Sequence, residues 1–252
     1  MRVLALDTTT RAGSVAIVED DRIVAERRGD PSRTHAERLP RDILSLLGDH
    51  GLGLADVDLF AVASGPGSFT GLRVGIATIQ GLAFVRGRQI AAVPALEAIA
   101  QSVGRDLGNG AMLGAWMDAQ RRDVFTALYR LDSHPPFNPE RLIEVEGPRV
   151  GDPADTLIRW AQMADREAIL FVGDGAVKHS DVIRSRHSII EPPPLAGAIG
   201  RMAIGLARQG ATMNPADVYP LYVRRSDAEI DRETRALSTR DTMVAKDTKK
   251  KS

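Results

Sequence analysis

Twice in this chain a short apolar strand stops at an aspartate and the backbone turns straight back. The two occurrences lie about 110 residues apart. The first is Val3-Leu4-Ala5-Leu6, which fits a buried strand. It ends at Asp7, turns through Thr8-Thr9-Thr10-Arg11-Ala12-Gly13 and returns as Ser14-Val15-Ala16-Ile17-Val18; Ile23-Val24-Ala25 completes a three-strand meander. The second runs over 112–117, ends at Asp118, turns through Ala119-Gln120-Arg121-Arg122 and returns over 124–129. In both halves a helix, a strand and a glycine turn follow. The first half has a helix capped by Thr34 with Glu37 as its capping-box partner, the strand 59–63 and Ser64-Gly65-Pro66-Gly67. The second has a helix over 153–164, the strand 169–172 and Gly173-Asp174-Gly175. Residue identity between the halves is negligible, so the repeat is one of pattern. It predicts an α/β chain of two lobes, 1–105 and 106–225, divided where the pattern breaks around 104–110.

Several further elements follow from local signals. A strand is predicted over 89–93 and a helix from Pro94, with Leu96, Ile99 and Ala100 on one side. Leu195, Ile199, Met202 and Leu206 line a late helix ending at Gly210, and 220–225 is a short extended element. From Ser226 few apolar residues remain, and the chain ends in Lys249-Lys250-Lys251-Ser252; 226–252 is expected to be a disordered, solvated tail. The duplicated order resembles that of actin-like ATPases (the ASKHA, ribonuclease H-like fold), in which two lobes each hold a mixed sheet and helices. This is a likeness of fold alone.

The helix over 71–85 is unusual, since only Arg73, Thr78 and Gln80 in it are polar. A surface helix carries one apolar stripe, whereas one that is apolar nearly all round is covered on several sides. Gly71, Gly75 and Gly81 each cost roughly 1 kcal/mol against alanine, so another backbone is expected to come close. Two readings stay open: a central core helix of this chain, or a helix with one face covered by a second protein.

The absent chemistry narrows the function. The 43% hydrophobic and 26% charged residues are an ordinary globular mix. With 33 basic against 33 acidic side chains the net charge is zero, which argues against gripping nucleic acid unaided. There is no cysteine, so disulfides, thiolate nucleophiles and cysteine-held metals drop out. Nothing resembles a signal peptide, and the longest apolar stretch is too short to span a bilayer; a soluble cytoplasmic chain is expected. The five histidines have no metal-ligand spacing, and no Walker loop or GxSxG elbow can be written. What remains is anion-binding potential at the helix start over 68–72 and at the Asp7 hairpin. The candidate nucleotide-facing residues are Asp7, Thr8, Thr9, Gly65, Gly67, Ser68 and Thr70. Both hairpins lack the glycine that lets a phosphate approach, which argues against an efficient stand-alone ATPase.

The motifs together resemble the TsaB family. The opening Leu4-Ala5-Leu6-Asp7-Thr8-Thr9-Thr10, the helix start His35-Ala36-Glu37-Arg38-Leu39-Pro40 and the loop Gly65-Pro66-Gly67-Ser68-Phe69-Thr70-Gly71-Leu72-Arg73-Val74-Gly75 are similar to that family's motifs. So are Asp118-Ala119-Gln120 with its following strand and the closing Pro220-Leu221-Tyr222-Val223-Arg224. Gln120, Asp123 and Phe125 depart from the usual Asp-Ala-Arg and Glu-Val-Tyr. The resemblance spans about residues 1–225. It implies a non-catalytic subunit of the bacterial machinery that places threonylcarbamoyl on adenosine 37 of tRNA. In that machinery TsaD carries the transferase chemistry and the ATPase TsaE joins the pair. It further implies no catalytic residue, metal or cofactor in this chain, with ATP or ADP and a metal ion on the partner subunits. tRNA would be met only through the complex. Docking on TsaD would use helices 36–47 and 71–85, through Leu39, Ile43, Leu46, Leu72, Arg73, Gly75, Ile76, Ile79, Gln80 and Ala83, with a homodimer through the same helices when TsaD is absent. On this reading Ile76→Asp or Gly75→Trp blocks pairing. The alternatives are a stand-alone actin-like ATPase or kinase and, further off, a glycoprotease-like peptidase.

Overall fold

The computed structural model describes residues 1–104, 107–164, 167–183 and 187–224. The opening alternation of apolar runs and turns forms the meander. β1 (Arg2–Asp7), β2 (Ser14–Glu19) and β3 (Arg22–Arg28) pair antiparallel in chain order, with Leu4 opposite Ile17 and Asp7 opposite Ser14. β4 (Leu59–Gly65) adds to β1 in parallel and β5 (Ile90–Pro94) adds to β4, giving the order β3-β2-β1-β4-β5. The second half repeats this. β6 (Met112–Asp118), β7 (Val124–Leu131) and β8 (Leu142–Gly151) form an antiparallel meander. β9 (Ile169–Val172) pairs in parallel with β6, and β10 (Ser188–Ile190) with β9. The order β8-β7-β6-β9-β10 is that of the first sheet, strand for strand. β8 and β10 are not among the strands expected from the sequence. Gly147 and Pro148 interrupt any alternation in β8, whose register against β7 shifts around Leu128, and β10 is only three residues long.

α1 (His35–Gly48) starts on the expected capping box: the Thr34 N–H donates to Glu37 Oε2 at 2.8 Å, and the Glu37 N–H to Thr34 Oγ1 at 3.4 Å. α2 (Phe69–Arg86) starts under Ser68 and ends at Gly87, which takes φ 61°. Both cover one face of the first sheet, where Leu39, Ile43, Leu46, Ile76 and Ile79 share a core with Leu4, Leu6, Val15, Ile17, Phe60 and Val62.

The inner helices are exchanged between the halves. α3 (Ala95–Gly104) follows β5 yet packs chiefly on the second sheet, while α6 (Ala196–Arg208) follows β10 and packs across all five strands of the first. Packing thus crosses the 105/106 division of the sequence, although the strands respect it. α4 (Pro153–Met163) and α5 (Asp174–Lys178) also pack on the second sheet, where Trp160 of α4 meets Trp116 edge-on at 5.8 Å over a glycine, Gly114. Met1–Leu221 form one compact unit, to which the last described residues, 222–224, do not belong. The tail expected over 226–252 lies outside the described residues. No helix among the described residues is long and apolar enough to cross a membrane.

Two carboxyls make the fold sensitive to alkali. Glu97 on α3 is largely buried, and burial together with the charge of Glu144 pushes it up to about 7. Burial also raises Glu26 on β3 to about 7, against the pull of a hydrogen bond from the Gly197 N–H at 2.7 Å. A carboxyl with a raised folded pKa holds its proton longer in the folded chain than in the unfolded one. Its contribution is therefore full below about pH 4.5 and lost as pH rises through about 7. Glu97→Gln is expected to raise unfolding stability at about pH 8 by ~1–3 kcal/mol and to change little at about pH 5. Urea titrations at the two pH values check it.

Candidate functional site

The sequence motifs converge on the start of α2. The Ser68 N–H donates to the Thr9 carbonyl at 2.8 Å, its hydroxyl accepts from the Gly71 N–H at 3.2 Å, and its carbonyl accepts from the Leu72 N–H at 2.8 Å. Gly67, Gly71 and Gly75, four residues apart, form a seat for the β1–β2 hairpin. A Cβ on Gly71 would stand 2.1 Å from the Thr8 carbonyl oxygen, one on Gly75 2.1 Å from Thr8 Oγ1, and one on Gly67 2.6 Å from Thr9 Cβ. The backbone close to this helix is the chain's own hairpin. Gly81 alone among the glycines of α2 faces open space.

Asp7 folds back on the hairpin, accepting from the Thr9 N–H at 2.8 Å and the Thr9 hydroxyl at 2.6 Å. Burial raises its carboxyl against the pull of those bonds, and the charge of Asp174 adds to the rise. The second hairpin repeats the device. Asp118 accepts from the Gln120 N–H at 2.9 Å and pairs with Lys178 at 2.8 Å, while Gln120, Arg121 and Arg122 all take positive φ. Asp174 accepts from the Asp118 N–H at 3.1 Å, and burial raises its carboxyl too. The strand-end glycines correspond: Gly65 takes φ 121° and Gly173 φ 126°, where a side chain would be strained.

The C-terminal end of the unit closes over the same loop. Gln80 donates through Nε2 to the Pro215 carbonyl at 2.7 Å and the Val218 carbonyl at 3.1 Å, and the Leu221 N–H donates to the Ser64 carbonyl at 2.7 Å. The loop motif and the closing motif, 145 residues or more apart in sequence, thereby meet through Gly65 and Leu221 (a Gly65 Cβ would lie 2.6 Å from the Leu221 oxygen).

The candidate residues fall into place unevenly. Among the nucleotide-facing candidates, Asp7, Thr8, Thr9 and Gly65 are buried, Gly67 is partly covered, and Ser68 and Thr70 are exposed. The hairpin thus occupies the space against the first turn of α2. Among the partner-binding candidates, Leu39, Ile43, Leu46, Leu72, Gly75, Ile76, Ile79 and Ala83 are buried in this chain's own core. Gln80 holds the Pro215 and Val218 carbonyls, and only Arg73, stacked 3.9 Å over the Phe69 ring, is on the exposed side. Most of these side chains thus face this chain's own sheet, and the reason is physical. α2 is apolar on both sides, so hydrophobicity alone cannot tell which side the sheet takes. The outward stripe is Arg73, Ala77, Gly81 and Phe84; beside it α1 presents Ala36, Pro40 and Leu44. Phe84 is 79% exposed and Leu44 59%. Arg73, the one charge in the body of the helix, marks this stripe in the sequence. Among the described residues no group of three His, Asp or Glu side chains is placed to hold a metal ion.

Two sheets of one strand order, each opening on a hairpin whose first strand ends in an aspartate, define the actin-like, ribonuclease H-like α/β class. The ADPNP-bound activator of 2-hydroxyisocaproyl-CoA dehydratase from Clostridium difficile shares this fold at a TM-score of 0.50 and 14% identity, over 83% of this chain and 97% of its own. Residues 29–147 match the family described as TsaD, tRNA N6-adenosine threonylcarbamoyltransferase. An uncharacterised Mycobacterium tuberculosis protein is 34% identical over 90% of this chain and 93% of its own length. The tRNA threonylcarbamoyladenosine biosynthesis protein TsaB of Bacillus subtilis is 29% identical over 91% and 96%. A Pseudomonas aeruginosa structure described as similar to peptidase YeaZ superposes with a TM-score of 0.74 at 28% identity, over 88% of this chain and 99% of its own. The chain belongs to the TsaB family.

Proposed function

We propose that this chain works in tRNA threonylcarbamoyladenosine biosynthesis as a non-catalytic, cytoplasmic subunit. It docks TsaD through the outward faces of α1 and α2, and the pair takes up the ATPase TsaE. ATP or ADP and the metal ion belong to those partners, and tRNA is met through the complex. The observation that carries this reading is the exposed stripe Ala77, Gly81 and Phe84 beside Leu44. Small residues let a second helix approach closely, and Phe84 and Leu44 supply apolar area to bury. The same stripe serves a homodimer when TsaD is absent. The hairpin lying on α2, and the engagement of both strand-end aspartates within their own turns, support a role in positioning rather than in catalysis.

Reconstitution tests the proposal. Purified TsaD, TsaE and the enzyme supplying the threonylcarbamoyl donor should modify tRNA only when this chain is present. Modification at an equal rate without it would defeat the reading.

A further inference from the structure

α1 is tied to the hairpin by two side chains that neither the core nor the docking stripe requires. The His35 ring lies between three elements. Its Nε2 is 3.0 Å from the Thr10 carbonyl, and its Nδ1 is 2.8 Å from a guanidinium nitrogen of Arg38. Its ring edge faces Gly71, where a Cβ would stand 3.3 Å from Cδ2. Arg38, only 2% exposed, also donates to the Ala12 carbonyl and to Asp42 Oδ2 at 2.7 Å. Glycines make room for the pair: a Cβ on Gly29 would fall 1.8 Å from an Arg38 nitrogen, and one on Gly13 3.0 Å from His35 Cε1.

The partners fix the protons. A guanidinium only donates and a carbonyl only accepts, so His35 must accept at Nδ1 and carry its hydrogen on Nε2. We infer that His35, neutral and in this tautomer, and Arg38 are positioning residues: they clamp α1 to the 8–13 turn, which itself rests on α2, and so set the spacing of the two outward helix faces that a partner reads. The inference rests on the docking reading above.

Protonation opposes the clamp. It would turn the Nδ1 acceptor into a donor facing a cation. Arg38 and Asp42 face the ring from α1, the Thr10 carbonyl faces it from the hairpin, and α2 offers Gly71. The Arg38 charge in turn pulls down the carboxyls of Asp7 at the start of the hairpin and Asp30 after β3. Burial and then Arg38 hold the His35 pKa below the ordinary histidine value, against Thr10 and Asp42, which raise it. The neutral ring therefore persists through neutral pH, and the clamp is lost as pH falls below that lowered value.

Calorimetric titration of the full chain with TsaD, from about pH 7.5 to about pH 5, tests this against His35→Gln and Arg38→Lys. Wild-type affinity is expected to be lost relative to that of His35→Gln, which has no titrating ring, as pH falls below the lowered histidine value. Arg38→Lys keeps the charge but loses the fork, and should bind more weakly at every pH. Nitrogen NMR of the wild-type imidazole, independent of any variant's folding, should show the Nε2–H tautomer. Parallel pH profiles for wild type and His35→Gln, or an Nδ1–H ring, would overturn the clamp and leave docking standing. A wild-type chain that binds no TsaD at any pH would remove the docking reading and the clamp with it.

Discussion

Alanine at Gly71 is expected to destabilise the fold by about 2–3 kcal/mol, whereas alanine at Gly81, ten residues along the same helix, should stabilise it by about 0.5–1 kcal/mol. The opposite signs follow from what each added methyl meets. At Gly71 the new Cβ would stand 2.1 Å from the Thr8 carbonyl oxygen, a backbone atom between Asp7, the last paired residue of β1, and Thr9, whose carbonyl accepts from the Ser68 N–H. The hairpin or the helix has to shift, and that bond goes with it. At Gly81 nothing lies within 4 Å, so only the helix propensity changes. Urea midpoints of the two variants check the pair, and equal midpoints would contradict the glycine seat. The same geometry changes what the obvious interface variants report. Gly75→Trp would drive a ring into Thr8, and Ile76→Asp would bury a charge at a position only 4% exposed. Loss of pairing in either would come from damage to this chain's own core.

Ala77→Arg separates docking from folding. Ala77 lies on the exposed stripe, so the substitution should leave the urea midpoint within about 0.5 kcal/mol of wild type. It would place a long charged side chain where two helices must approach, and TsaD affinity should fall about a hundredfold, or ~3 kcal/mol. Calorimetry with TsaD alongside the urea series reads both numbers. A variant that binds normally would move the interface off this stripe.

The duplicated fold is legible in the sequence because its markers are local. An apolar run stopped by Asp7 recurs at Asp118, and a strand stopped by Gly65 recurs at Gly173, both with left-handed glycines. The Thr34–Glu37 capping box is equally local. β8 and β10 escape because one carries Gly147-Pro148 and a shifted register and the other is three residues long. The exchange of α3 and α6 between the sheets has no local signature, since each helix shows only that one side is apolar and not which sheet covers it. The candidate site shows the same limit. The glycines at 67, 71 and 75 announce a close backbone, yet nothing in their spacing says that it is Thr8 and Thr9 of the same chain. His35 and Arg38 stand inside a motif whose contacts are made with residues 10 and 12.

Thiol footprinting reads the docking surface most directly, because the chain contains no cysteine of its own. Single cysteines are placed by Ala77→Cys on the outward stripe of α2 and by Val177→Cys on α5, which packs on the second sheet, both positions exposed. Maleimide labelling of each, at a dilution where this chain alone is monomeric by size, is followed by the mass of this chain, with and without excess TsaD. TsaD should slow modification at position 77 at least about tenfold and leave position 177 unchanged. Equal labelling at position 77 with and without TsaD would contradict docking through α2.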